Sequence, residues 1–284
     1  MRRFILIAVV CGALACAATS GVSIAMFDGT VRGWGIAVAE ISRDRPGLRV
    51  PVSHAVERDL SAITAIEIVA VSSDVEIASG ETERLRASYT GRIVWRESGP
   101  PEAPATSILE MIDGETLTLQ VERDDRDEDY TSDTVLRVAL PRGFRGRVHA
   151  KTISGDLLVS RLSNTSAAAV ETVSGDVDVR DRPSSRLDVE TISGDVSLSS
   201  SAAPSSTRVK TVSGDVEVAL PGTGATDADL STVSGDIESA LPVQIDASGR
   251  RARAVAVGAA EASRLEIQTT SGDIRLVVPP VRSR

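Results

Sequence analysis

The chain has 284 residues and a formal net charge of −9. That balance argues against a nucleic-acid partner, because phosphate binding needs clustered Lys and Arg; the nearest cluster, Arg250-Arg-Ala-Arg253, is short and reads as a solvated loop. The only cysteines, Cys11 and Cys16, lie in one apolar segment, so the remainder has no disulfide and no thiolate metal site.

Met1-Arg2-Arg3 precedes 24 uncharged residues, Phe4 to Phe27. A helix of that length can span a bilayer, and the two leading arginines favour a cytoplasmic N-terminus. Residues 1–27 are therefore read as a membrane anchor in the bacterial cytoplasmic membrane. A cleaved signal peptide stays open, with Ala13-Leu-Ala15 or Ala15-Cys-Ala17 as the small-residue site. A lipoprotein box at Cys16 is poor, because Leu14 occupies a position that is usually small. Every one of these readings exports the remainder.

Residues 28–62 mix Gly, Pro and charge, and are read as a linker with a short helix near 52–60. Strands begin at Ala65. Ile66 and Ile68, then Val75 and Ile77, then Leu85, Ala87 and Tyr89 alternate with polar residues, and Ile93–Trp95 follow. Leu117, Leu119 and Val121, and Leu136, Val138 and Leu140, form two more such runs. Between them lies Asp124-Asp-Arg-Asp-Glu-Asp129, read as a solvated hairpin tip. It lacks the ligand order and closing Glu of a calcium loop. Residues 65–147 are expected to form an N-terminal β cap.

From 148 to 284 the chain is organised by Thr-x-Ser-Gly-Asp followed by an aliphatic residue. The turn positions are Ser154, Gly155 and Asp156; Ser174, Gly175 and Asp176; Ser193, Gly194 and Asp195. They continue as Ser213, Gly214 and Asp215; Ser234, Gly235 and Asp236; Ser271, Gly272 and Asp273. The glycines are separated by 20, 19, 20, 21 and 37 residues. A period near 20 marks a repeat architecture. Around Gly194, Leu187, Val189 and Thr191 alternate with acidic residues, and Val196 and Leu198 flank Ser197, so each copy is two half-buried strands joined by a turn. The predicted fold is all-β: a β-solenoid of two-strand rungs of about 20 residues, with an N-terminal β cap, behind one hydrophobic helix. An antiparallel β meander or sandwich fits the same alternation. The Ile or Val between Thr and Ser is out of phase, and the sequence does not say which surface it covers. Residues 241–263 are a decayed rung or an insertion.

These Thr-[Ile/Val]-Ser-Gly-Asp-[Val/Ile] strands behind an apolar segment resemble the bacterial adhesin-like family of β-strand-repeat envelope proteins, a domain of unknown function. The match covers 152–276 well and extends weakly to Val71-Ser-Ser-Asp-Val-Glu-Ile77, a copy without the glycine. The resemblance implies an architecture and an envelope location more than an activity.

Chemistry is sparse. The two histidines, His54 and His149, are expected to be solvated, and no nucleophile–base motif or zinc motif occurs. No cofactor, metal or catalytic residue is implied. Rungs about 4.8 Å apart would align the repeat aspartates, whose repulsion is relieved by local amides, by the neighbouring serines, or by a bound cation. The expected role is a non-enzymatic, exported, membrane-tethered surface for an unknown envelope protein or glycan. Lys151, Glu171, Glu190 and Lys210 would share that face with Asp178, Ser197, Glu217 and Glu238. A polysaccharide-acting β-helix enzyme would have carboxylates here but no aromatic in the repeats for stacking sugars. An accessory protein of envelope-stress signalling would have only three residues before its apolar segment.

Overall fold

A computed structural model describes residues 48–95, 107–121, 130–181, 185–200, 205–219, 226–240, 244–245, 250–254 and 263–277. The N-terminal strands are β1 (Leu48–Arg58), β2 (Ala65–Val69), β3 (Asp74–Gly80), β4 (Leu85–Trp95), β5 (Ile108–Asp113), β6 (Thr116–Val121) and β7 (Tyr130–Pro141). The repeats supply β8 (Arg147–Ser154), β9 (Leu157–Ser160), β10 (Ala167–Ser174), β11 (Val177–Asp181), β12 (Arg186–Ser193), β13 (Val196–Ser200), β14 (Ser206–Ser213) and β15 (Val216–Ala219). After these come β16 (Thr226–Ser234), β17 (Ile237–Ser239), β18 (Gln244–Ile245), β19 (Arg251–Ala254), β20 (Ser263–Ser271) and β21 (Ile274–Val277). No helix occurs among the described residues. None there is long and apolar enough to cross a membrane. The expected anchor at 4–27 and the acidic run 124–129 lie outside them.

Each repeat contributes its first strand to one sheet and its second to another. Like strands of neighbouring repeats pair in parallel, in register: Thr152 faces Thr172, which faces Thr191. This is the solenoid; the antiparallel meander does not occur in the repeats. The inward residues are the alternating aliphatics expected from the sequence. Leu187, Val189, Val196 and Leu198 are buried, as are Leu265, Ile267, Ile274 and Leu276. Inward residues of both sheets, from Val52 to Leu276, form one core cluster. The chain from Leu48 onward thus supplies its own core.

Stack order departs from chain order at both ends. The rungs run β6/β7, β2/β3, β8/β9, β10/β11, β12/β13, β14/β15, β20/β21, β16/β17. Near the start, β6/β7 is laid outside β2/β3, and β8/β9 returns inside. Near the end, β16/β17 is laid outside, and β20/β21 returns to fill the place between it and β14/β15. The 37-residue step is therefore not a decayed rung. It contains β18 and β19, an antiparallel pair that covers β16, and Arg251 and Arg253 stand on β19 rather than in a loop. Antiparallel strands also close the other end, as β7–β4–β1 and β6–β5. Such closure limits exposed parallel edges.

One expectation fails in the N-terminal region. The segment read as a linker with a helix near 52–60 carries β1, paired along its whole length with β4. Val52, Val56 and Leu60 are four apart and satisfy a helical as well as a strand period, which is why the sequence misleads.

The turn glycine is required by close stacking. A Cβ on Gly214 would stand 2.1 Å from the Gly194 carbonyl oxygen, and its φ is +149°. Gly194 meets Gly175 in the same way. Ser73 occupies the equivalent place in the degenerate copy. Its stack neighbour there is strand β7, and its hydroxyl lies 2.8 Å from that of Thr134. A Cβ therefore fits at 73, although Gly155 must still clear the Ser73 carbonyl.

His54 joins the two sheets at the closed end. Its Nδ1 accepts the Ile108 amide of β5 at 3.1 Å, beside the Arg58–Glu110 pair. It is half-buried rather than solvated. Burial holds its pKa below the ordinary imidazole value, with Glu110 partly opposing.

Two predictions follow from these contacts. Gly214→Ala should cost about 3 kcal/mol or more, lowering the melting temperature by roughly 10 °C. Gly143→Ala, where a Cβ meets nothing within 4 Å, should change stability by less than about 0.5 kcal/mol. Thermal melts of both variants check this. For His54 the unfolded state binds the proton more readily, so stability rises with pH across the window between the depressed folded value and about 6.5. The His54 contribution is present above 6.5 and declines below it. His54→Asn keeps an acceptor oxygen near the Nδ1 position without the titration. Melts between pH 7.5 and 5.5 should fall less steeply for this variant than for the parent.

Candidate functional surface

The motif residues Thr-x-Ser-Gly-Asp align along one edge of the stack, where the chain passes from one sheet to the other. Each position becomes a column. The threonines point inward: Thr152, Thr172, Thr191, Thr211, Thr232 and Thr269 are all buried. Thr232 donates to the Gly272 carbonyl at 3.0 Å, whereas the hydroxyls of Thr152, Thr172, Thr191 and Thr211 have no partner.

The aspartate column is held by a repeated bond. The Asp176 amide donates to Asp156 Oδ1 at 2.9 Å, Asp195 to Asp176 at 2.8 Å, and Asp215 to Asp195 at 2.8 Å. Asp273 donates to Asp215 at 2.8 Å, and Asp236 to Asp273 at 2.9 Å. Asp156 donates to Asp74 at 2.9 Å, which places the degenerate N-terminal copy in the same ladder. The partner of each of these accepting carboxylates, from Asp74 to Asp273 in stack order, is the next rung's amide, not the motif serine. These are charge-assisted bonds, and the aspartates that make them are exposed. Among the described residues no cluster has the makings of a metal site.

The out-of-phase aliphatics lie outside. Ile153, Val173, Ile192, Val212 and Val233 are 44–65% exposed. In stack order the column runs Val71, Ile153, Val173, Ile192, Val212, Thr270, Val233, with Val71 half-buried and Thr270 polar. Isolated exposed aliphatics are ordinary, but a continuous row of them on a surface is not. Their lack of phase with the strand was visible in the sequence. Their exposure was not, because it depends on how the turn leaves the sheet.

The charged residues expected to share one face lie on two sheets. Lys151, Glu171, Glu190 and Lys210 belong to the sheet of β8–β14. Asp178, Ser197, Glu217 and Glu238 belong to that of β9–β17. A position before the turn and one after it cannot share a sheet, because the turn is where the chain changes sheets. Within each sheet the charges pair across rungs. Lys151 lies 3.4 Å from Glu171, Lys210 3.4 Å from Glu190, and Arg275 3.1 Å from Glu238 and 3.9 Å from Glu217. Glu238 and Glu217 raise the Arg275 pKa further. His149 Nε2 lies 2.8 Å from Glu171, so this histidine is outward as expected but bonded. Exposed pairs of this kind contribute little stability; they leave both sheet faces charge-balanced.

At the opposite edge, near the N-terminal end, a cleft of about 1130 Å³ lies between the β1–β2, β3–β4, β7–β8 and β9–β10 loops. Arg142, Arg145 and Arg147 line it with Asp59, Glu81 and Glu83, and Arg142 pairs with Glu81 at 2.7 Å. Three cations against three carboxylates leave it without a net sign.

The fold has a solved counterpart. A candidate cell adhesion protein from Clostridium sporogenes ATCC 15579 superposes with a TM-score of 0.51 at 10% identity, over 81% of this chain and 100% of that one. A candidate adhesin from Bacteroides fragilis NCTC 9343 gives 0.41 at 13% identity, over 80% of this chain and 97% of that one. No curated protein matches the sequence. The model of one family matches residues 106–277, which hold every copy of the complete motif. The chain belongs to the Toastrack DUF4097 family.

Proposed function

We propose that this chain is a non-enzymatic, exported protein, held in the bacterial cytoplasmic membrane by residues 4–27, whose solenoid is an adhesin-like or scaffolding surface for an envelope protein or glycan. The observation that carries this reading is the form of the surface. Every outward position of the repeat recurs rung after rung, so the molecule offers long columns rather than convergent groups around one reacting atom. The cell-adhesion description of the Clostridium sporogenes protein agrees with it. The apolar segment Phe4–Phe27 behind two arginines supports export and tethering.

One rung tests this. In the full chain with Cys11→Ser and Cys16→Ser, single cysteines are placed at Glu190 on one sheet, Ser193 on the turn edge and Ser197 on the other sheet; all three are exposed. Spheroplasts are treated with a membrane-impermeant maleimide, and labelling rates are compared with those of the purified protein. The expected result is labelling without lysis, with at least one position slowed about tenfold in the envelope by a bound partner. Labelling only after lysis would contradict export. Equal rates at all three positions in both preparations would contradict an interaction surface.

A further inference from the structure

We propose that the turn edge is a docking track for a cationic amphipathic helix: a polypeptide segment with an unbroken aliphatic row bordered by Lys or Arg. This deepens the interaction-surface reading above and rests on it. The track is the exposed column from Ile153 to Val233, aliphatic at every rung except that of Thr270, and its border is the aspartate column three residues along each turn.

Four features specify the occupant. The five aliphatics together expose on the order of 400 Å² of apolar surface, the size of the largest patch on a typical monomer, which is often functional. All five are β-branched, with few rotamers to lose on binding. From Ile153 to Val233 the column crosses five rung intervals, about 24 Å at the spacing of paired strands. That is the length of about 16 helical residues. The track offers side chains and no free backbone row, so an occupant must satisfy its own backbone bonds, as a helix does and an extended strand does not.

Charge decides among possible occupants. The aspartate column carries a carboxylate at every rung and is exposed throughout. Arg275, which pairs with Glu238 and Glu217, also acts electrostatically on Asp273 near one end of the column. An anionic lipid surface is repelled by such a border. A second copy would bring the same acidic columns and the same net charge of −9 to the interface. A helix with Lys or Arg beside its aliphatic row matches both columns at once, and the charges add steering to the apolar contact. The rung spacing of about 4.8 Å does not match the roughly 6 Å step between helical i and i+4 side chains. Contact therefore lacks residue-by-residue interdigitation, and the helix can shift along the track.

The full chain carrying a photo-crosslinking benzoylphenylalanine at Ile192 is irradiated in its native envelope, with the same group at Ser197 as the control on the neighbouring sheet. The cross-linked segment is then sequenced. The expected adduct at Ile192 is a helical-pattern segment with aliphatics flanked by Lys or Arg, at least fivefold above the Ser197 yield. Ile153→Ser, Val173→Ser and Val212→Ser together should reduce that yield about tenfold. Asp156→Asn, Asp176→Asn, Asp195→Asn and Asp215→Asn together should reduce it several-fold while leaving the melting temperature nearly unchanged, because Asn Oδ1 can still accept the next rung's amide. An adduct to lipid, to a second copy, or to a segment without the basic border would overturn the proposal. So would a yield at Ile192 no greater than at Ser197. If maleimide labelling is slowed at Glu190 or Ser197 and not at Ser193, the interaction surface stands and this track falls.

Discussion

The solenoid depends on one contact, the stacking of a Ser-Gly-Asp turn on the turn of the next rung. Backbone meets backbone so closely there that the glycine has no room for a Cβ: the place it would take beside Gly214 is 2.1 Å from the Gly194 oxygen. The adjoining aspartate accepts the amide of the next aspartate, while its charge remains in water. The repulsion that a row of carboxylates should create is thus opposed in the same bond that sets the spacing. Burial of Val, Leu and Ile supplies the bulk of the stabilisation, but aliphatic packing alone does not fix which residue faces which. The turn does, and the in-register Thr, Ser, Asp and aliphatic columns follow from it.

Interchangeable rungs have a topological consequence. Because each motif copy presents the same donors, acceptors and clearance, a later segment can stack between two earlier ones without loss of complementarity. The C-terminal end uses this: the outermost rung, β16/β17, is laid down before β20/β21, which stacks between it and β14/β15, and antiparallel strands cover both ends. The degenerate copy at Val71–Ile77 belongs to the same ladder, because Asp74 supplies the acceptor and Ser73 faces a strand that leaves space for its side chain.

Much of this was legible in the sequence, for identifiable reasons. Period-two alternation marks inward residues directly, so Leu187, Val189, Val196 and Leu198 could be assigned to the core unaided. The repeat length named the solenoid. Stack order was not legible, because identical motifs cannot say which copy is the neighbour. The strand β1 was hidden by spacing that suits two periods. The division of the polar residues between two sheets was hidden by the turn itself, and so was the exposure of Ile192 and its equivalents. His54 lies on β1, and its acceptor role depends on β5, more than 50 residues away, reaching it from the other sheet.

The most direct measurement is amide hydrogen exchange at the aspartates of the motif. Asp156, Asp176, Asp195, Asp215, Asp273 and Asp236 are exposed turn residues, and a turn that merely linked two strands would let their amides exchange as freely as other surface loops. Stacked turns predict protection comparable to that of the core-strand amides of Val189 and Val209. Fast exchange at all six, with the core strands still protected, would show that the rungs are held by their aliphatic interior alone and that the turn ladder is not what sets the register.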